Sequence, residues 1–537
     1  MHICLQLDRS RLFRWHIWLA EALLAVPGQT VSRQFAASSH PIPRGVSLLL
    51  DLERSIYRLA PKGAMDPASS AALSLAPERD DTPDVVVDLA GDGVTTAAQR
   101  VLRPTFNGIS GEIGVMAALS EGADLLIELH DTARPGRPWT ARPASQDREV
   151  FGATLDAALS CTVALILKAM SGERGVTSQT AAAPGPVYTD FGTARSLAWA
   201  SASVAAKAIR LLGILAKGAK EWRIAWRLDR SGTGLLDCGK ASFRVLTGGV
   251  GSYLADPFPF RHGGRDFIFV EQYLHAKNKG CIAVVPMNGS GVAGPAEIVL
   301  EEAHHLSYPV VFEQAGQIWM IPEAGESGKV TLYRAESFPY RWKREADLAN
   351  GIEAYDVTPL ADDSGVWFFA AQRLWRSSSW DVLNIYRADS LTGSWKPHGV
   401  GSALIDAALS RPAGSFIRRD GQTLRPVQDC SRGYGSGLTF CRIDALDAFN
   451  FAQTAVGRVG AGPYGCHTYN RRDGIEVVDL FGRIADAEDV TISYVPLPTD
   501  SPAARSSTNL ISPTFSGDRA GAGHSAEFLN SASARLP

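Results

Sequence analysis

Five times between Asp256 and Asp479 the chain repeats one short phrase, about once every 50 residues. A small-residue/Pro or Asp/Pro step leads into an apolar strand, a Gly turn and an aromatic-rich strand. The copies open at Ala255-Asp256-Pro257-Phe258, Ser307-Tyr308-Pro309-Val310, Tyr355-Asp356-Val357-Thr358, Ser410-Arg411-Pro412-Ala413 and Cys466-His467-Thr468-Tyr469. Their turns are Gly263-Gly264, Ala315-Gly316, Ser364-Gly365, Asp420-Gly421 and Asp473-Gly474. A period of this length made of short strands is the mark of a propeller or array of small sheets.

Each unit can supply one antiparallel sheet. The second copy predicts strands over 308–312, 317–321 and 330–334, the third over 366–369 and 383–387, and the fourth over 414–417, 424–426 and 437–440. The fifth copy has only two strands of its own. The alternating segment 222–228 is available to complete it, which would close a five-bladed β-propeller and remove an open sheet edge. The first strand of each propeller blade lines the axis, so the polar residues of the five openings, Asp256, Tyr308, Asp356, Arg411 and His467, are expected to converge on one pocket. The competing reading is that Asp-Pro and Asp-x-Thr only cap turns at strand entry.

With its Ala-Asp-Pro entry, this region resembles the furanosidase-type glycoside hydrolases of family 43 and their relatives. The resemblance implies a general base at Asp256 and a pKa-tuning acid at Asp356. The general acid of that family has no match, because Ala413 stands in its place within Arg411-Pro412-Ala413-Gly414. A glycosidase needs two carboxyl groups flanking the scissile bond, so either Glu323 or Asp429 serves, or hydrolysis is not the activity. A closer likeness covers residues 220–485. It rests on Ala255-Asp256-Pro257-Phe258, on Ile321-Pro322-Glu323 with Leu332-Tyr333-Arg334, on Leu424-Arg425-Pro426-Val427-Gln428-Asp429-Cys430 with Tyr434-Gly435, and on His467-Thr468-Tyr469-Asn470. Together these resemble the N-terminal domain of the plant glucosamine inositolphosphorylceramide transferases, a domain distinct from that family's glycosyltransferase domain. No such transferase domain follows in these 537 residues, and transferase activity is not expected to come with the resemblance. Asp256, Asp356 and Glu323 are the candidate catalytic residues. Tyr308, Arg411, Arg425, Gln428, Asp429 and His467 are the candidate binding residues, and Arg suits bidentate contact to a phosphorylated or acidic sugar.

Residues 1–172 alternate strand and helix: strands over 2–7, 84–89 and 125–129, helices over 11–24, 46–59, 112–119 and 148–170. Such alternation predicts a three-layer α/β domain with a mostly parallel sheet. The buried strand, the loop Phe106-Asn107-Gly108-Ile109 and the strand ending His130-Asp131 resemble the formyltransferase fold. Of that family's Asn-x-His pair and Asp, Asn107 and Asp131 survive, but Ile109 replaces the His that acts in the proton relay. A degenerate, non-catalytic domain is expected. The alternative is one-carbon transfer by this domain with the propeller recognising the acceptor, and a third reading is a non-enzymatic recognition scaffold.

Residues 173–220 read as a Ser/Thr/Ala/Gly/Pro linker and then a helix carrying Lys207, Arg210, Lys217 and Lys220. Such a helix suits either a membrane surface or packing between domains, and the second is expected. Residues 221–485 hold the propeller, and 486–537, poor in large apolar residues, are expected to be disordered. A net charge of −3 gives no basic field for nucleic acid. Seven scattered Cys without a C-x-x-C pair argue against a disulfide framework or zinc ribbon. No uninterrupted apolar run reaches about 18–20 residues, and charges break the N-terminal segment early. These features predict a cytoplasmic chain with a glycan or glycoconjugate partner, and no metal or cofactor. Gly325-Glu326-Ser327-Gly328-Lys329 reads as a hairpin turn, and His304-His305 as a solvated loop.

Overall fold

In the first unit, β-branched runs and helically spaced apolar residues sort into layers as their periods require. The computed structural model describes residues 1–36, 44–57, 63–79, 81–91, 98–120, 122–144, 150–171, 192–229, 232–292, 294–362, 365–373 and 378–498. They fall into two units, one centred on Met1–Lys217, the other on Gly218–Arg373 and the described residues from 379 onward.

Among the described residues, the sheet of the first unit has the order Thr30–Phe35, His2–Leu7, Val85–Asp88, Arg100–Phe106, Ile127–Asp131, Trp139–Ala141. The first four strands are parallel neighbours and the last two pair antiparallel. The expectation of a mostly parallel sheet is therefore corrected to a mixed one. The cause is local: Asn107 and Gly108 take positive φ (49° and 82°) and turn the chain back onto Thr105-Phe106. Asn107 is spent on this turn, its Oδ1 accepting from the Leu126 amide (2.7 Å) and its Nδ2 donating to the Asp124 carbonyl (3.1 Å). Asp131 binds Arg100, the Ala133 amide and the Trp139 indole. Both residues that carry the formyltransferase resemblance thus hold the scaffold together. Across the sheet the helix Phe151–Met170 is almost wholly buried, with Glu53 accepting from its first amides at 2.8 Å.

Among the described residues, two helices are long and apolar enough, by length and composition, to cross a bilayer: Phe151–Met170 and Thr193–Ala216. The sequence reading, which required an unbroken apolar run, missed both. Phe151–Met170 serves as the core helix of its unit.

The second unit is a succession of small antiparallel sheets. Ser252–His262, Arg265–Leu274 and Lys279–Asn288 form the first, with Glu297–Leu300 at its edge. Ser307–Gln314, Gln317–Glu323, Lys329–Ser337 and Arg341–Asn350 form the second. Ala354–Asp362, Gly365–Gln372, Val382–Ala388 and Lys396–Ile405 form the third. Ile417–Arg419, Gln422–Gln428, Leu438–Leu446 and Phe451–Gly460 follow. They continue through Asp489–Pro496 into Lys240–Leu246, Glu221–Leu228, Ile475–Gly482 and Tyr469–Arg472. The segment expected to complete the last copy does pair there, Ala225 opposite Val478 and Trp226 opposite Val477. Ala315-Gly316, Asp420-Gly421 and Asp473-Gly474 each take positive φ at both residues, the conformation of tight hairpins. The segment 325–329 is likewise the turn between two strands.

One boundary is corrected. Residues 489–496 were expected in a disordered tail, yet they bridge Phe451–Gly460 and Lys240–Leu246. Their alternation is genuine, with Val490 and Ile492 buried, but Ser, Thr, Asp and Pro around them lower the apolar average. The rest of the expected tail (499–537) and most of the expected linker lie outside the described residues. Ile492→Ala is expected to cost about 2–5 kcal/mol in chemical denaturation, whereas a tail residue would cost nothing.

Candidate functional site

The first strands of the first three sheets share one irregularity. Register slips between Ala255 and Phe258, between Ser307 and Val310, and between Tyr355 and Thr358. At each slip one residue turns left-handed: Asp256 (φ 49°), Tyr308 (φ 42°) and Asp356 (φ 52°). Such bulges re-aim a side chain, and a left-handed Tyr is held only by strong surroundings.

Those surroundings are one hydrogen-bonded network. Asp256 Oδ1 accepts from Thr468 Oγ1 (2.6 Å) and lies 2.9 Å from His467 Nε2, while Oδ2 accepts from the Tyr308 amide (3.2 Å). His467 Nδ1 lies 3.0 Å from Asp479 Oδ2, and Asp479 Oδ1 accepts the amides of His467 (2.8 Å) and Thr468 (2.9 Å). The Tyr308 hydroxyl meets Thr358 Oγ1 (3.0 Å) and accepts from the Gly414 amide (2.6 Å). A Cβ at Gly414 (φ 139°) would sit 2.1 Å from the Tyr469 carbonyl, so that approach requires glycine. Asp356 Oδ2 accepts from Arg411 Nε (2.5 Å) and Gln428 Nε2 (2.9 Å). Every member is buried.

The five residues of the phrase openings, with Gln428, are thus brought together. Glu323 stands beside them, accepting from Ser307 Oγ (2.7 Å) and the Gly325 amide. Two candidates lie elsewhere. Arg425, 1% exposed, gives its guanidinium to the Leu409 and Ser410 carbonyls and to Gln453, so it props a sheet rather than facing a pocket. Asp429 caps its own turn by accepting from the amide and hydroxyl of Ser431.

Charge is partitioned by surroundings. Burial opposes the charge on His467, but Asp479 and Asp256 outweigh it and raise the imidazole to about 10. Burial pulls Asp256 up, yet His467, Thr468 and Arg411 bring its pKa below the ordinary value. For Glu323 burial wins, with Asp356 adding to it, and the pKa rises to about 7. Burial also lifts Asp356 and, well above its usual range, Glu271. The ligand atoms of Asp256, His467 and Asp479 lie within 4.8 Å of one another, close enough for a metal site. With both ring nitrogens facing carboxylates the trio forms a carboxylate–imidazolium–carboxylate chain, and a metal held there would take the place of an imidazole proton.

Rings border this centre. Trp222 meets His467 at 4.1 Å, and Tyr434 lies 4.9 Å from His467 and stacks on Trp380 at 5.5 Å. The Arg411 guanidinium lies 5.1 Å from the Tyr434 ring and 5.7 Å from that of Tyr355. Among the described residues its two Nη groups carry no hydrogen bond.

Sequence reasoning missed Asp479 and Glu271. Each is an acid on a strand face whose neighbours two residues away are apolar or aromatic, Val477 for Asp479 and Phe269 and Tyr273 for Glu271, and an acid there requires a buried partner. His305 is corrected too: its Nδ1 accepts from the Gly280 amide and its Nε2 lies 3.3 Å from Glu271, and burial drops its pKa to about 4.

Residues 225–464 match the family model described as the N-terminal region of glucosamine inositolphosphorylceramide transferase 1. The chain is 31% identical over 212 residues to glucosamine inositolphosphorylceramide transferase 1 of Arabidopsis thaliana, covering 38% of this chain and 27% of that protein. Its counterpart in Oryza sativa subsp. japonica is 31% identical over 215 residues, with 38% and 28% covered. The chain therefore spans little more than a quarter of the length of these relatives. Among solved structures, it is similar to an exo-1,5-alpha-L-arabinanase from a bovine ruminal metagenomic library (14% identity, 46% of this chain and 94% of that one, TM-score 0.32). It is also similar to a family 43 beta-xylosidase/alpha-arabinofuranosidase from a compost microbial metagenome (13%, 47% and 93%, TM-score 0.33).

The imidazolium has a pH signature. His467 titrates near 6.5 when free and at about 10 in the fold, so its stabilisation is complete below 6.5 and is lost as pH rises through 10. His467→Asn is expected to cost about 3–5 kcal/mol near pH 6 and to flatten the alkaline decline of stability. Denaturant midpoints measured from pH 6 to pH 10 check both.

Proposed function

We propose that residues 221–496 form a five-bladed propeller that recognises a glycan or glycoconjugate headgroup at its polar centre, with Arg411 as anchor and Glu323 as the proton-transferring group. One observation carries this reading. Among the described residues the Nη donors of Arg411 are unengaged, close to two tyrosine rings and near a carboxyl whose pKa is about 7. Planar rings suit sugar faces, and a fork of guanidinium donors suits a phosphate or carboxylate on the sugar. A carboxyl poised near neutrality suits general acid–base work, and Asp256, held ionised nearby, supplies the contrasting charge state that such sites use. Support also comes from the relatives, whose names describe transfer involving glucosamine inositolphosphorylceramide.

A second reading, recognition without bond cleavage, has its own observation. Both oxygens of Asp256 are engaged inside the protein, and Ala413 stands where the resembled hydrolases carry their acid. On that reading the Arg411 site still binds, and no proton moves.

Arg411→Ala is expected to weaken binding of phosphorylated or uronic glycans about tenfold to a hundredfold, the loss of a charged hydrogen bond, measured by glycan array and calorimetry. Equal binding by this variant would discard the site. Glu323→Gln is expected to retain binding and abolish turnover, with parent activity falling as pH rises through about 7 because the proton donor is lost. Binding by the parent protein without turnover of any bound glycan decides for the second reading.

A further inference from the structure

The helix Thr193–Lys217 is built inside out. Its protein-facing side carries Ser196, Ala200 and Ser203, all buried. Its outer side carries Leu197, Val204, Ile209, Leu211, Leu212 and Leu215, with Ile209 69% and Leu215 75% exposed. At 3.6 residues per turn, Leu197, Val204, Leu211 and Leu215 fall on one stripe, with Leu212 and Ile209 beside it. Only 11% of the stretch 193–216 is buried. A surface helix in water has the opposite arrangement, and a contiguous apolar face of this kind marks an interaction site.

The polar side is fastened down. The Tyr57 hydroxyl meets Ser203 Oγ at 2.5 Å, and the Lys207 ammonium sits 3.8 Å from the centroid of the Tyr57 ring. With one side held on the helix Arg44–Tyr57, this helix cannot cross a bilayer surrounded by lipid, whatever its length. It can lie along one. Charge selects the kind of surface: from Thr193 to Lys220 there is no Asp or Glu, while Arg195, Lys207, Arg210, Lys217 and Lys220 are cationic.

We propose that this helix, about 37 Å long, docks in the headgroup layer of an anionic lipid membrane, its leucine stripe in the acyl boundary and Arg195 and Arg210 toward the headgroups. The proposal is independent of the glycan reading, since none of its residues belongs to the Arg411 site.

The test is co-sedimentation of the full chain with vesicles of phosphatidylcholine alone and of phosphatidylcholine mixed with phosphatidylserine. The expected result is binding to the mixed vesicles, weaker binding to the neutral ones, and loss of binding at high salt. Leu211→Glu with Leu215→Glu is expected to bind the mixed vesicles at least about a hundredfold more weakly. Both positions are exposed, so an unchanged thermal midpoint is expected and certifies the fold. As a second variant, Arg195→Glu with Arg210→Glu is expected to abolish the preference for phosphatidylserine. The proposal is overturned if the parent chain ignores the mixed vesicles, or if both double variants bind as the parent does. A parent dimer in light scattering that the leucine variant dissolves would also overturn it, assigning the face to a second copy.

Discussion

A single buried imidazolium holds the second unit together. His467 lies between Asp256 and Asp479, and through them the first repeat is joined to the last. Each carboxylate is further committed, Asp256 to the Tyr308 amide and Asp479 to the amides beside His467. From Tyr308 the chain of bonds runs to Thr358 and Gly414, and from Asp356 to Arg411 and Gln428. Burying so many polar groups is tolerable only because nearly all are paired. Removing the cation would leave two buried carboxylates without their counter-charge, and the bulge that turns Asp256 left-handed would lose its partner.

How much of this could be read from the chain depends on what each position must do locally. Asp-Gly and Ala-Gly turns require positive φ, so their spacing exposed the hairpins. The openings were legible because polar residues recur at one register of an otherwise apolar strand. Strand Glu221–Leu228 was assigned to the last sheet because that copy lacked strands of its own. What failed was judgement of side-chain direction. Arg425 sits in a phrase that carries the family resemblance, yet its strand register turns it toward carbonyls of the chain. Asp479 and Glu271 look like surface acids unless their faces are counted, and Asp489–Pro496 is hidden by composition. In the first unit Asn107 is present for its backbone, a role that sequence order alone does not separate from catalysis.

The centre also explains why carboxyl groups so near one another differ in protonation. Asp256 has a cation in contact and stays ionised. Glu323 has two neutral donors and the nearby Asp356, and it holds its proton to about pH 7. Arg411 is shared between these environments, spending Nε on Asp356 and keeping its Nη groups unspent. The interior thus divides its charge among an ion chain at His467, a salt bridge at Arg411 and a titratable carboxyl at Glu323.

That division limits what a ligand could do here. Displacing the Asp256–His467 contact would cost more than one sugar contact returns, because each partner would be left charged and dry. On the proposed function a ligand meets Arg411, Tyr355, Tyr434 and Glu323 instead, of which Glu323 can change charge near neutrality. An anionic group brought against Arg411 would raise the Glu323 pKa further, since two negative charges would then share one cation. On the proposed function, binding and proton uptake are coupled at this site: a ligand anion would enter most readily with Glu323 protonated, which is also the state in which that carboxyl could donate.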